Sequence, residues 1–272
     1  MRCRQWVGVI HLPPLPGSPH ACLTPESIVR YGLEEARVLC QAGAAAVLIE
    51  NLGDRPYFRT RVPPITLTVM TRVAATVRSE LAVRVGINVL RNDAIGALAV
   101  AIAAGADFIR VNVLTGAVVA DQGLISGVAA RLMRYRRYWQ GEHVAVWADL
   151  RVKHAQPLAE REWTAELGDL IERAGADAVI VTGVRTGVAP TVQWVQAVRS
   201  EMPESVPLWL GSGVTPENLA QFVPWVDGVI VSSALRVSGR AGAPLDRQRI
   251  DQWVRAWQRV IVSSDASSAT PG

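Results

Sequence analysis

Short apolar runs recur along the chain and alternate with longer amphipathic or Ala-rich stretches. Residues 6–11, 46–49, 84–89, 108–113, 144–149, 178–182, 206–210 and 228–231 read as strands. Their near-continuous apolar character suits strands buried on both faces of a parallel sheet. Between them, helices are expected over 25–42, 65–81, from Asp93 to Gly105, ending near Trp139, and over 161–174 and 192–201. A further helix follows Thr215-Pro216-Glu217, and the last covers 248–262. Thr24-Pro25-Glu26 supplies an N-cap, a proline at the first helical position and an acid in the first turn. Residues 114–122 read as a long loop, and the Pro-rich stretch 12–19 excludes helix or central strand.

Three helix ends share one pattern. Ala42-Gly43-Ala44, Ala104-Gly105-Ala106-Asp107 and Ala174-Gly175-Ala176-Asp177 each place a glycine where a left-handed stop is favoured, and Val226-Asp227-Gly228 lies in the same phase. The echoes introduce every second strand, as expected of duplicated βα units. The fold class is therefore α/β, a single (β/α)8 TIM barrel over residues 1–262, with 263–272 as a small, polar, disordered tail. An open doubly wound sheet is the alternative, but no GxGxxG follows the first strand.

The strand ends then acquire meaning, because chemistry in such barrels collects at the C-terminal face. Gly211-Ser212-Gly213 and Ser232-Ser233 end the last two strands, where unhindered backbone N–H groups form a phosphate cup; Ser232 and Ser233 are expected to cap a short helix from Ala234. Around the rest of the ring stand His11, Glu50, Asn51, Asn88, Arg110, Asn112, Asp149 and Thr182, with Asp121, Lys153 and His154 just beyond. Each alone is compatible with a hydrogen-bonded structural residue. Together they form a dense polar ring, which is costly to bury unless it is paired or meets a ligand.

Composition narrows the chemistry. Of 28 basic residues, 27 are arginine, leaving Lys153 the only lysine. Only an ammonium can lose its proton to act as base or nucleophile, so Lys153 is singled out, with Glu50 and Asp149 as acid/base carboxylates. His11, His154 and Asn112 complete the catalytic candidates; Asn51, Asn88, Arg110, Asp121 and Thr182 are candidate substrate contacts. No H-x-H pair, P-loop or CxxC is present, so no cofactor is expected, although an oxygen-ligand Mg²⁺ site on Glu50, Asp121 or Asp149 stays open. The formal net charge of +4 gives no nucleic-acid signature. No run reaches the ~20 apolar residues of a membrane span. Three unpaired-spacing cysteines and no secretory signal point to the cytoplasm. Arg131, Arg134, Arg136 and Arg137, interleaved with aromatics, read as an outer barrel helix, with peripheral contact to an acidic membrane as the alternative. A homo-oligomer is left open.

The motifs His11-Leu12-Pro13-Pro14, Glu50-Asn51-Leu52-Gly53-Asp54, Asn88-Val89-Leu90-Arg91-Asn92-Asp93, Arg110-Val111-Asn112-Val113 and Gly211-Ser212-Gly213-Val214-Thr215 resemble those of the BtpA/SgcQ family. The likeness extends through 115–116, 121–123, 149–155 and 181–183, nearly the whole barrel. The family often has Gly-Thr in place of Ser232-Ser233 and Lys in place of Arg236, so a hydroxyl and a cation are kept. The resemblance implies a ribulose-phosphate-binding type of barrel. It also implies two roles: an enzyme on a small phosphorylated, sugar-like metabolite (isomerase, lyase or glycosyl-type transferase), or a peripheral membrane assembly factor of the photosystem I biogenesis kind.

Overall fold

The computed structural model describes residues 4–183, 185 and 187–268. Along the chain run β1 (Gln5–His11), α1 (Pro25–Gln41), β2 (Ala46–Glu50), α2 (Pro64–Glu80), β3 (Arg84–Asn88), α3 (Ala94–Ala104) and β4 (Phe108–Val111). Next come β5 (Ala117–Ala120), β6 (Gly123–Ser126), α4 (Ala129–Tyr138), β7 (Ala145–Leu150), β8 (Ala155–Pro157) and α5 (Trp163–Gly168), which continues as one π-helical turn to Arg173. The chain closes with β9 (Ala178–Val181), α6 (Val192–Glu201), β10 (Leu208–Leu210), α7 (Leu219–Phe222), β11 (Gly228–Val231) and α8 (Arg247–Ser268). The eight strands expected from the pattern form one closed parallel barrel, in the order β1-β2-β3-β4-β7-β9-β10-β11. The helix stops also follow the echo: Gly105 and Gly175 both sit at φ 67°, a left-handed geometry that a Cβ would strain.

Alternation along the strands divides the core into two layers. Outward residues pack against the helices, while Val7, Val9, Leu48, Phe108, Trp147, Ile180, Trp209 and Ile230 form a separate interior cluster. Its floor is aromatic. Phe108 stacks on Trp147 at 3.9 Å, and Trp147 on Trp209 at 4.3 Å. Glycine makes room for these rings: a Cβ on Gly86 would stand 2.2 Å from Phe108, and one on Gly228 2.3 Å from Trp209. The next inward position on each strand lies above this plug, at the mouth of the barrel.

Four features differ from the pattern-based reading. The loop 114–122 contains β5, which pairs antiparallel with β6 and with β8 to make a three-stranded flap. Its strands are half-exposed, with Val119 and Leu124 facing solvent, so burial left little period to read. Thr215-Pro216-Glu217 opens no helix; the Asn218 amide clasps the turn by accepting from Thr215 N and donating to Gly213 O, and α7 begins only at Leu219. Ser232 and Ser233 give a three-residue 3₁₀ turn with no side-chain cap, because the Ser232 hydroxyl is engaged by His11. Helix α8 runs beyond 262 to Ser268, and 269–272 of the expected tail lie outside the described residues.

Arg236 locks the last loop to the first helix. Fully buried, it pairs with Glu35 of α1 at 2.8 and 2.7 Å and donates to Val9 O and Ala243 O. Removing one partner strands the other charge in the interior. Glu35→Ala is expected to lower unfolding free energy by about 3–5 kcal/mol, read from the urea midpoint of tryptophan fluorescence; a midpoint within error of the parent would refute this role.

Candidate active site

Parallel register sets the first side chains of the mouth. His11 of β1 is level with Glu50 of β2, and Glu50 with Asn88 of β3. Glu50 accepts from Asn88 Nδ2 at 2.9 Å and lies 3.5 Å from Arg110 Nη1. Arg110 turns its other edge to Asp149 of β7, with Nε and Nη2 at 3.0 and 3.1 Å from the two carboxylate oxygens. Asn112 Nδ2 donates to Asp149 Oδ2 at 2.7 Å. Both acids are thus tied to one guanidinium that is 3% exposed.

His11 is held as a neutral ring. Gly242 N donates to Nδ1 at 3.0 Å, so the ring proton sits on Nε2, which faces Ser232 Oγ at 3.0 Å and Glu50 Oε2 at 3.8 Å. Burial, then the charges of Arg236, Lys153 and Arg55, hold its pKa well below the usual value. Lys153 is half-buried in the same mouth. Burial and then Arg110 push its ammonium down to about 8, against the pull of Glu50 and Asp149. Its backbone oxygen accepts from Arg91 Nη2 at 2.6 Å, which fixes the segment that carries it.

These groups open into a cavity of about 980 Å³. Its lining includes His11, Glu50, Asn88, Arg110, Asn112, Asp121, Lys153, His154 and the whole expected cup, Gly211-Ser212-Gly213 and Ser232-Ser233. Gly213 has φ 75°, and a Cβ there would meet Ala189 N at 2.0 Å, so the cup is shaped by backbone packed on backbone. With Arg110 matched by Asp149, four further cationic side chains, Arg55, Arg91, Lys153 and Arg240, face two carboxylates, Glu50 and Asp121. Such an imbalance in a confined space favours an anion.

Four expected residues stand elsewhere. Asn51 braces a loop: its Oδ1 accepts from Leu90 N at 2.7 Å and its Nδ2 donates to Asp54. Asp149 and Thr182 line a second cavity behind the Arg110 pair rather than the main one. Arg236, the expected cation beside the cup, is committed to Glu35. Conversely, Arg55, Tyr57, Arg91 and Arg240 line the mouth without having been singled out. They come from loops, which carry no periodic signal; only Arg91 lay in a recognisable motif. Both oxygens of Asp149 and Oε1 of Glu50 are taken by Arg110, Asn88 and Asn112, and no three ligating side chains converge on a metal position among the described residues.

A family model described as the BtpA family matches residues 2–259. The chain is 37% identical over 262 residues to the Photosystem I biogenesis protein BtpA of Synechocystis sp., covering 96% of this chain and 91% of that one. It is 42% identical over 234 residues to an uncharacterised protein of Pyrococcus horikoshii, covering 86% and 88%. Among solved structures, it is similar to a thiamine phosphate pyrophosphorylase from Pyrococcus furiosus, with TM-score 0.58 at 14% identity over 95% and 97% of the two chains. It is also similar to N-(5'-phosphoribosyl)anthranilate isomerase from that organism, with TM-score 0.57 at 16% identity over 94% and 100%. At these identities the structural likeness speaks for the barrel alone.

The single lysine makes its titration directly readable. Acetylation of Lys153, followed by peptide mass mapping across pH, is expected to show a midpoint near 8. A midpoint near the ordinary lysine value of about 10.4 would refute the burial of this amine beside Arg110.

Proposed function

The chain belongs to the BtpA family, and we propose that it is an enzyme acting on a small phosphorylated, sugar-like metabolite. The observation that carries this reading is the excess of cations in a mouth whose two poles differ in kind. One pole, Gly211-Ser212-Gly213 with Ser232-Ser233, offers backbone and hydroxyl groups but no base. The other presents Lys153 beside Glu50 and Arg110, where an amine titrating near 8 is about one-tenth neutral at pH 7. A phosphate held at the first pole would bring the far end of a short carbon chain to the second.

There Lys153 is suited to take a proton from a carbon next to a carbonyl, or to attack the carbonyl itself, with Glu50 and neutral His11 relaying protons. Arg110 would stabilise negative charge forming on the carbonyl oxygen. Isomerase and lyase chemistry use these steps; a glycosyl-type transfer would instead draw on Glu50 as the acid/base carboxylate beside the anion cup. A cytoplasmic location accords with this reading. The affinity for an anion is expected to fall as pH rises through about 8, since the ammonium is lost there.

A second reading, an assembly factor at a membrane, draws on the name of the Synechocystis relative and on the exposed ridge of α4. Tyr138 is 80% exposed there, and Arg131 and Arg134 also face solvent. However, Arg136 pairs with Asp177 at 3.1 Å and Arg137 with Glu142 at 2.5 Å, while Leu132 is buried in the core, as in an outer barrel helix. No helix among the described residues is long and apolar enough to cross a membrane.

Two measurements separate these readings. Inorganic phosphate and pentose phosphates are expected to raise the melting temperature, with ~2.7 kcal/mol of added stability at about 100 times the dissociation constant. Ser212→Asp, which puts a carboxylate in the cup, is expected to abolish that shift. Once a substrate is identified, Lys153→Arg should retain binding and lose at least ~10²-fold in turnover. Flotation with phosphatidylserine vesicles is expected to leave the protein unbound; robust flotation, lost on neutralising Arg131 and Arg134, would favour the membrane role.

A further inference from the structure

Behind the Arg110–Asp149 pair lies a second cavity of about 560 Å³. Its roof is the flap, where Val118 of β5 pairs with Pro157 of β8, and its outer wall is Trp194 of α6, held edge-on to Trp163 at 4.9 Å. Asn112 stands between the two cavities and lines both. Nothing in the chemistry assigned to the mouth uses this space.

Two buried polar atoms here have no hydrogen-bond partner among the described residues: Asn112 Oδ1 and Thr182 Oγ1. Their residues are 2% and 6% exposed. The Asn112 amide cannot relieve this by flipping, because its Nδ2 donates to the Asp149 carboxylate at 2.7 Å, and a flip would set oxygen against oxygen. Oδ1 therefore requires a donor from outside. Such atoms are rare in folded proteins and point to a group that arrives later.

Charge in this cavity is balanced, unlike that of the mouth. Asp149 is neutralised by Arg110, Arg151 pairs with Glu166 at 2.8 Å, and Arg161 with Asp169 at 2.8 Å. The remaining walls are mostly apolar, with Leu170 and Trp194 among them. A volume of this size lies within the range of small-molecule sites.

We propose that this second cavity is a binding site for an uncharged, ring-sized group carrying an N–H donor, either a co-substrate or the far half of a substrate. The donor meets Asn112 Oδ1, the Thr182 hydroxyl makes the second polar contact, and the ring lies against Trp194. The assignment does not rest on phosphate binding in the mouth.

The test compares benzamide with methyl benzoate, which keeps the ring and the carbonyl but has no N–H. Titration calorimetry on the full chain is expected to show saturable benzamide binding at least about ten-fold tighter than methyl benzoate. Thr182→Val, nearly isosteric, is expected to weaken benzamide about five-fold, and Thr182→Ser to restore it. Saturating inorganic phosphate should leave the benzamide affinity unchanged. Absence of benzamide binding, equal binding of the ester, indifference to Thr182→Val, or competition by phosphate would each overturn the proposal. If benzamide behaves as expected while phosphate gives no thermal shift, the reading of the mouth fails and the second site stands.

Discussion

A single buried guanidinium organises the functional end of this barrel. Arg110 projects from β4 into the interior above the aromatic floor, where an unpaired cation would be prohibitively costly. Asp149 answers it with a two-point pair and Glu50 with a longer contact. That requirement determines the state of everything nearby. It removes Asp149 from service as a free base, since both of its oxygens are engaged. It keeps Glu50 in place for Asn88 and His11, and it raises the cost of a charged Lys153. The pair also divides the interior, with an electropositive mouth on one side and a charge-balanced pocket on the other.

Support for that pair comes from below and around it. The stacked rings of Phe108, Trp147 and Trp209 close the barrel beneath the polar layer and keep the layer at the rim. Amide side chains then fasten the rim loops to one another: Asn51 holds Leu90, and Asn92 both accepts from Val113 N and donates to its carbonyl. Asp93 caps α3 through Gly96 N and also accepts from Val62 N. These residues resemble ligand-binding groups in sequence because they are polar and sit at strand ends. Their hydrogen bonds make them the frame on which the cavity is built.

The two cavities differ in what they can hold for reasons of charge rather than size. In the mouth, Arg55, Arg91, Lys153 and Arg240 outnumber Glu50 and Asp121, even with Arg110 matched by Asp149. Behind the pair, Asp149, Arg151 and Arg161 each have a counter-ion close by. One fold thereby has an electropositive end and a charge-balanced end that meet at Asn112.

Much of this was legible in the chain itself. Short, near-continuous apolar runs located all eight barrel strands within a few residues, because burial on both faces leaves a strong local signature. The glycine echoes marked helix stops, because a left-handed turn is a property of one residue. Strand ends carried His11, Glu50, Asn88 and Arg110 into the mouth as expected, since register follows from closure. Local pattern along the chain therefore dictates the barrel and the identity of most groups at its rim. Closure of the barrel sets which of them are available: Asp149 is matched to Arg110, Arg236 to Glu35, Asn51 to Leu90, and the Lys153 pKa is lowered to about 8. The flap over the second cavity and the arginines of the loops were likewise settled there. Pairing between residues some forty to two hundred positions apart, and the burial that sets a pKa, exist only once the chain is closed on itself.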